Sequence, residues 1–104
     1  MKKAVIICVG AMSSSVMAKK TTDYFKNKGE EIQVDASSVG EGKKQIEKDE
    51  YDVYLLSPQA KMNYDSLNTM AKKSNKEIVN IPFDAYVPIP TGVEKLAKLI
   101  ENNI

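Results

Sequence analysis

The stretch Lys3-Ala4-Val5-Ile6-Ile7-Cys8-Val9-Gly10-Ala11-Met12-Ser13-Ser14-Ser15 organises the reading of the whole chain. Its first half is a continuous apolar run without alternation, as in a parallel strand buried on both faces. Its second half is small and hydroxyl-rich, and it leads into a helical pattern. Small residues let the backbone turn tightly, so that its N–H groups can point inward. The helix that follows adds unpaired N–H groups and the positive end of its dipole. Strand, small-residue loop and helix N-terminus together predict a cradle for an anion of phosphate size. Cys8 stands at the mouth of that cradle. A thiol there is expected to have a lowered pKa, because the same donors stabilise the thiolate. Ser13, Ser14 and Ser15 offer further hydroxyl donors. Taken singly, a lone cysteine is a small buried hydrophobe and serines after a strand are helix caps. Their coincidence on one strand-to-helix loop favours chemistry.

Outward from this stretch, strands and helices alternate to the end of the chain. The first strand is read as Lys3 to Cys8. A helix follows from Ser13 to Asn27, with the three serines as N-cap candidates, Gly29 as a stop and Met17, Tyr24 and Phe25 on its inner face. A strand from Glu31 to Ala36 alternates Ile32, Val34 and Ala36, and a weak helix follows from Val39 to Asp49. Asp52 to Ser57 is a second buried strand, closed by Pro58. Asn63 to Ser74 is a helix with Tyr64, Leu67, Met70 and Ala71 on one stripe, and Glu77 to Ile81 is a fourth strand. Pro82, Pro88 and Pro90 enforce a non-helical loop. Thr91 is the expected cap of a last helix, whose Val93, Leu96, Ala97, Ile100 and Ile104 recur at helical spacing to dock it on the sheet. The order βαβαβαβα argues for an α/β fold, a parallel sheet with helices on both faces. Ligands in such folds bind at the carboxyl ends of the strands. Those ends carry the Cys8 loop, Ser37, Ser57-Pro58-Gln59 and the loop from Pro82 to Pro90.

Composition narrows the chemistry further. The 104 residues fit one domain with a single core. Fifteen Lys and Arg against fourteen Asp and Glu leave a formal net charge of +1, which gives no footprint for nucleic acid or an anionic membrane. The apolar run after Met1-Lys2-Lys3 is too short for a signal peptide and far too short to span a bilayer, so a cytoplasmic protein is expected. One cysteine and no histidine rule out an intrachain disulfide, a Ser-His-Asp triad, a Cys-His dyad and a Cys/His zinc site within this chain. Cys8 must therefore be activated by its surroundings or by a partner.

At the Cys8 loop the sequence resembles the cellobiose/lactose-type enzyme IIB of the bacterial sugar phosphotransferase system, and the resemblance extends over nearly the whole chain. Lys3-Ala4-Val5-Ile6-Ile7-Cys8 is similar to the family's apolar strand ending in its active cysteine. Met12-Ser13-Ser14-Ser15 resembles its Met-Ser-Thr-Ser segment, and Asp52-Val53-Tyr54-Leu55-Leu56-Ser57-Pro58-Gln59 resembles its third strand, commonly ending Leu-Leu-Gly-Pro-Gln. The resemblance implies one IIB-type domain over residues 1–104, with an all-parallel sheet of order 2-1-3-4 in a flavodoxin-like, P-loop-phosphatase-like three-layer sandwich. It also implies that Cys8 takes a phosphoryl group from a histidine of the IIA component. Cys8 then passes it to a sugar held by the membrane component IIC, which fits a chain without histidine. The implied phosphate loop is Val9, Gly10, Ala11, Met12, Ser13, Ser14 and Ser15, with Gln59 and Tyr86 as accessory candidates. For Tyr86, packing against the loop is the competing role. No metal or cofactor is implied, and a monomer is the simplest expectation for a shuttle. The chain departs from the family where Gly10-Ala11 replaces Ala-Gly, Ser14 replaces Thr, Ser57 replaces a frequent Gly, and Val87 follows Tyr86 in place of Gly; Gly92 corresponds to a later glycine. Because IIC binds the sugar, the carbohydrate stays open, and a related IIB for galactitol or mannitol would use the same chemistry.

Two other classes compete. A low-molecular-weight phosphatase or arsenate reductase also places a cysteine on a phosphate loop, but it needs an arginine six residues later to clamp the phosphate. That position is Ser14, and Asp84 is the available candidate for a general acid. A cradle of neutral donors would hold a phosphoryl group without clamping its transition state for water. On that reading Ser14→Arg is expected to speed hydrolysis. A flavodoxin-like binding module or a receiver would want aromatics around a flavin or an aspartate ending the third strand. The chain has no Trp, and its third strand ends in Ser57. Phe83, Tyr86 and Val87 can serve either as an apolar docking surface or as side chains folded over the core.

Overall fold

The computed structural model describes residues 1–9 and 11–104, with residues 11–13 described by backbone only. Four strands and four helices alternate: β1 (Lys2–Cys8), α1 (Ala11–Asn27), β2 (Ile32–Ser38), α2 (Val39–Glu47), β3 (Val53–Leu56), α3 (Tyr64–Lys72), β4 (Ile78–Asn80) and α4 (Pro90–Glu101). Short 3-10 turns at Pro58–Asn63 and Phe83–Ala85 follow β3 and β4. The sheet order is β2-β1-β3-β4 and every pairing is parallel, as expected.

Period-2 alternation divides the strands between two cores. Ala4, Ile6, Ile32, Val34, Val53 and Leu55 pack with Met17, Phe25, Val93, Leu96 and Ile100 on the α1–α4 face. Val5, Ile7, Tyr54 and Leu56 pack with Ile46, Leu67 and Ala71 on the α2–α3 face. The apolar run in β1 thus has no alternation because both of its faces are covered.

The element boundaries move for local reasons. Helix α1 begins at Ala11, not Ser13, so the serines lie within its first turns. It ends where expected: Gly29 adopts φ +77, and Gly29 and Glu30 donate to the carbonyls of Lys26 and Phe25, a Schellman ending. The Thr22 hydroxyl donates to the Val34 carbonyl (3.1 Å) and accepts from the Val34 N–H (2.9 Å), fastening α1 to β2. β2 runs on to Ser38, whose hydroxyl caps α2 by accepting from the Glu41 N–H at 3.2 Å. α2 ends at Glu47, two residues before Asp49. The expected cap Thr91 is inside α4: Ile89 is the N-cap and Pro90 occupies the first turn, where its missing N–H costs nothing. Ile104 lies past the end of α4 and is exposed, so it does not help dock the helix. Among the described residues no helix is long and apolar enough to cross a membrane.

Candidate functional site

Cys8 is the last residue of β1, three positions before α1 begins, and is 2% exposed. Alternation from Ala4 and Ile6 turns its side chain to the α1–α4 face. There the Tyr86 hydroxyl donates to Cys8 Sγ at 3.6 Å. A residue 78 positions away in sequence therefore touches the thiol directly.

The chain reaches that position by a tight return after β4. Ala85 N–H donates to the Pro82 carbonyl and Tyr86 N–H to the Phe83 carbonyl, forming the 3-10 turn that aims Tyr86 back over the sheet. Gly92 seats the segment after it. A Cβ at Gly92 would stand 2.2 Å from the Val87 carbonyl oxygen, so only glycine lets α4 pass this close beneath the loop. The loop's apolar side chains divide their roles: Tyr86 folds inward, whereas Phe83 is 72% exposed and Val87 is partly exposed.

The cradle side of the site is built from α1. A helix N-terminus offers backbone N–H groups and the positive end of its dipole, and the first turn of α1 carries no acidic residue to compete for an anion. Val9 is exposed, Ser14 is fully buried, and Ser15 is exposed. Gly10 and the side chains of Ala11, Met12 and Ser13 lie outside the described residues. The burial of Ser14 changes one expectation: Ser14→Arg would force a long cation into filled space, so it is a poor probe of hydrolysis.

The remaining candidates separate. Gln59 is exposed on the 3-10 turn after β3. Ser37 does not join the site, since it turns to the other face of the sheet and donates to Gln45 Oε1 of α2 at 2.7 Å. Ser57, read from the sequence as part of a ligand-binding strand end but not as a site residue, is 1% exposed and lies beside Cys8 in the ladder, with its N–H donating to the Ile7 carbonyl at 2.9 Å. In sequence, Val53, Leu55 and Ser57 keep one alternation and Ala4, Ile6 and Cys8 another. What the sequence lacks is the register that sets the two side by side.

Comparison with known proteins bears on this arrangement. The family model for the PTS system, lactose/cellobiose-specific IIB subunit, matches residues 3–98. The chain belongs to this family. Its role is therefore phosphoryl transfer within the sugar-transporting phosphotransferase system. The comparison with curated proteins finds no match. Among solved structures, the fold is similar to the lactose-specific IIB component domain of Streptococcus pneumoniae, with a TM-score of 0.83 at 17% identity, covering 98% of this chain and 96% of that one. It is also similar to the cellobiose-specific IIB component of Borrelia burgdorferi, with a TM-score of 0.75 at 24% identity, covering 98% and 90%. A more distant likeness is to YfkJ of Bacillus subtilis, with a TM-score of 0.54 at 20% identity, covering 99% and 89%.

A phosphatase site on this frame lacks two parts. All fifteen basic residues are lysines, so no arginine is present to clamp a phosphate bidentately. Asp84, the candidate general acid, is exposed and paired with Lys95 of α4 at 3.0 Å.

Proposed function

We propose that the chain is the phosphocysteine carrier of its phosphotransferase system, working as one cytoplasmic domain, with Cys8 as the residue that bears the phosphoryl group. The observation that carries the reading is the placement of Cys8. It ends β1, one of the two inner strands, just before the α1 N-terminus, with the Tyr86 hydroxyl on its sulfur. In the first step the Cys8 thiolate attacks phosphorus on a phosphohistidine of IIA. The S–P bond forms, the N–P bond breaks, and the histidine nitrogen keeps the electron pair. In the second step a hydroxyl of a sugar held by membrane IIC attacks phosphorus, the S–P bond breaks, and the thiolate returns while the hydroxyl loses its proton.

Each part of the site has a task in this cycle. The backbone N–H groups of the segment from Val9 to Ser15, which includes the first turn of α1, hold the phosphoryl oxygens. Tyr86 donates to sulfur and so favours the thiolate, both as attacking and as leaving group. Gln59, exposed on the 3-10 turn after β3, is an accessory donor to the phosphoryl group or to a partner. The absence of histidine and arginine fits a carrier: the histidine belongs to the donor, and no arginine is there to clamp the phosphoryl group for attack by water. Val9, Phe83, Val87 and Ile89 are exposed apolar residues close in sequence to Cys8 and Tyr86, and they suit brief contacts with two partners in turn.

The test is an intact mass after incubation with phosphoenolpyruvate, the general phosphotransferase proteins and a matching IIA, with Cys8→Ser alongside. A gain of one phosphoryl group that the Cys8→Ser protein lacks is the expected result. A wild-type chain that stays unmodified beside another IIB loaded by several IIA types would end the carrier reading.

A further inference from the structure

Among the described residues, Ser57 carries a buried hydroxyl at the carboxyl end of the sheet that the fold itself does not use. It is 1% exposed, and its hydroxyl oxygen meets no hydrogen-bond partner among the described residues. Folded proteins rarely leave a buried hydroxyl in that state, since the group has given up water and received nothing. Other buried hydroxyls are satisfied within the protein, among them Thr21 by the Met17 carbonyl at 2.7 Å and Ser37 by Gln45 at 2.7 Å.

The place of Ser57 gives the open hydroxyl a meaning. β1 and β3 are paired in parallel with Ala4 opposite Val53, Ile6 opposite Leu55 and Ile7 opposite Leu56. The ladder continues for one more step, because Ser57 N–H donates to the Ile7 carbonyl and the Ser57 backbone is extended at φ −64, ψ 155. Ser57 is therefore the neighbour of Cys8 across the strands, at a spacing of about 5 Å. Both side chains continue the series on the α1–α4 face, Val53, Leu55, Ser57 on one strand and Ala4, Ile6, Cys8 on the other. The Ser57 hydroxyl does not bond to the thiol itself. A phosphoryl group on Cys8 would carry its oxygens beyond the sulfur, into the space between the two strand ends and the start of α1.

We infer that Ser57 is a phosphoryl-binding residue: its hydroxyl donates to an oxygen of the phosphoryl group on Cys8, and it is left without a partner in the resting protein because that oxygen is its partner. The inference rests on the carrier reading above and adds to it a ligand from β3, outside the loop and helix that form the cradle. The hydroxyl holds the product of loading and not the thiolate, so it shifts the loading equilibrium toward phosphocysteine.

The experiment compares wild type, Ser57→Ala and Ser57→Gly, each incubated with the same IIA and general phosphotransferase proteins over a series of phosphoenolpyruvate-to-pyruvate ratios. The phosphorylated fraction is read by intact mass, and thermal unfolding of each unphosphorylated protein is measured in parallel. Losing a hydrogen bond to a charged group should lower the loading equilibrium constant of both variants by roughly tenfold, with no fall in melting temperature. Variants that load like a wild type that does load would overturn the role of Ser57 and leave the carrier reading standing. Variants that load poorly and also melt lower would overturn it too, by making Ser57 a structural residue. A wild type that does not load at all would remove the carrier reading, and the role of Ser57 with it.

Discussion

Two sets of buried polar groups lie on opposite faces of the same sheet, and they are treated differently. On the α2–α3 side the groups close on one another. The Tyr51 hydroxyl donates to Asp35 Oδ2 at 2.7 Å, Gln33 donates to Asp35 Oδ1 at 2.8 Å, and the Tyr54 hydroxyl accepts from Tyr51 N–H while donating to the Gln45 carbonyl, both at 3.1 Å. On the α1–α4 side, at the carboxyl end, Tyr86 is held against the Cys8 sulfur and the Ser57 hydroxyl beside it is left open. A polar network kept for stability has its donors and acceptors matched in the folded chain. A polar site kept for transfer holds capacity in reserve for a group that comes and goes. The closed network fastens β2, α2 and the start of β3 together, and so fixes the frame against which the open site is presented.

The largest effect is expected from unseating the open site. Gly92→Ala drives a Cβ into the Val87 carbonyl, a backbone atom that cannot swing aside, and should cost about 3 kcal/mol. Urea unfolding measures it. A midpoint equal to wild type would mean that the loop carrying Tyr86 is not anchored through this contact. The closed network breaks next. Tyr54→Phe leaves the buried Tyr51 N–H without its acceptor, while the Gln45 carbonyl keeps the Glu50 N–H as a donor, at a cost of about 2 kcal/mol. An unchanged midpoint would show that water replaces the hydroxyl and that the network is less closed than its geometry implies.

A pH scan sharpens the same contrast. Burial first, and the hydrogen bond to Asp35 second, hold the Tyr51 phenol protonated well above the tyrosine range. Tyr54 is raised as well, chiefly by burial. Above about pH 10 the unfolded chain releases these protons while the folded chain keeps them, so the unfolded state binds fewer protons and stability falls as pH rises. Below that pH the contribution is fully present. Tyr51→Phe should make the alkaline fall shallower without removing it, since Tyr54 still contributes. Equal slopes for the two proteins, measured by urea midpoints from neutral to alkaline pH, would place the effect elsewhere. The smallest change belongs to the open site: Ser57→Ala removes a buried hydroxyl without a partner and should leave the unphosphorylated protein equally stable, or more stable by up to about 1 kcal/mol. A clear loss of stability would show that Ser57 is part of the closed structure after all.

Several features could be read from the residues alone because each depends on its neighbours in sequence. The unbroken apolar run Ala4 to Ile7 announced a strand covered on both faces, the repeated strand-and-helix pattern announced a parallel sheet, and Gly29 announced the end of α1. Cys8 stood out because a thiol, a small-residue loop and a helix start came together within a few positions. Tyr86 was harder to read, since packing and function leave the same mark in sequence: an aromatic residue in a proline-bounded loop. Folding joined the two roles by burying the ring and bringing its hydroxyl to the sulfur. Ser37 and Ser57 both looked like hydroxyls at strand ends. Only the strand register turned one toward α2 and set the other next to Cys8. Local pattern thus determined which segments became strands and helices and which loop carries the thiol, because backbone preference and hydrophobic period act over short range. Tertiary structure decided which distant side chains meet that thiol, because strand pairing moves every side chain to the other face when it slips by one residue.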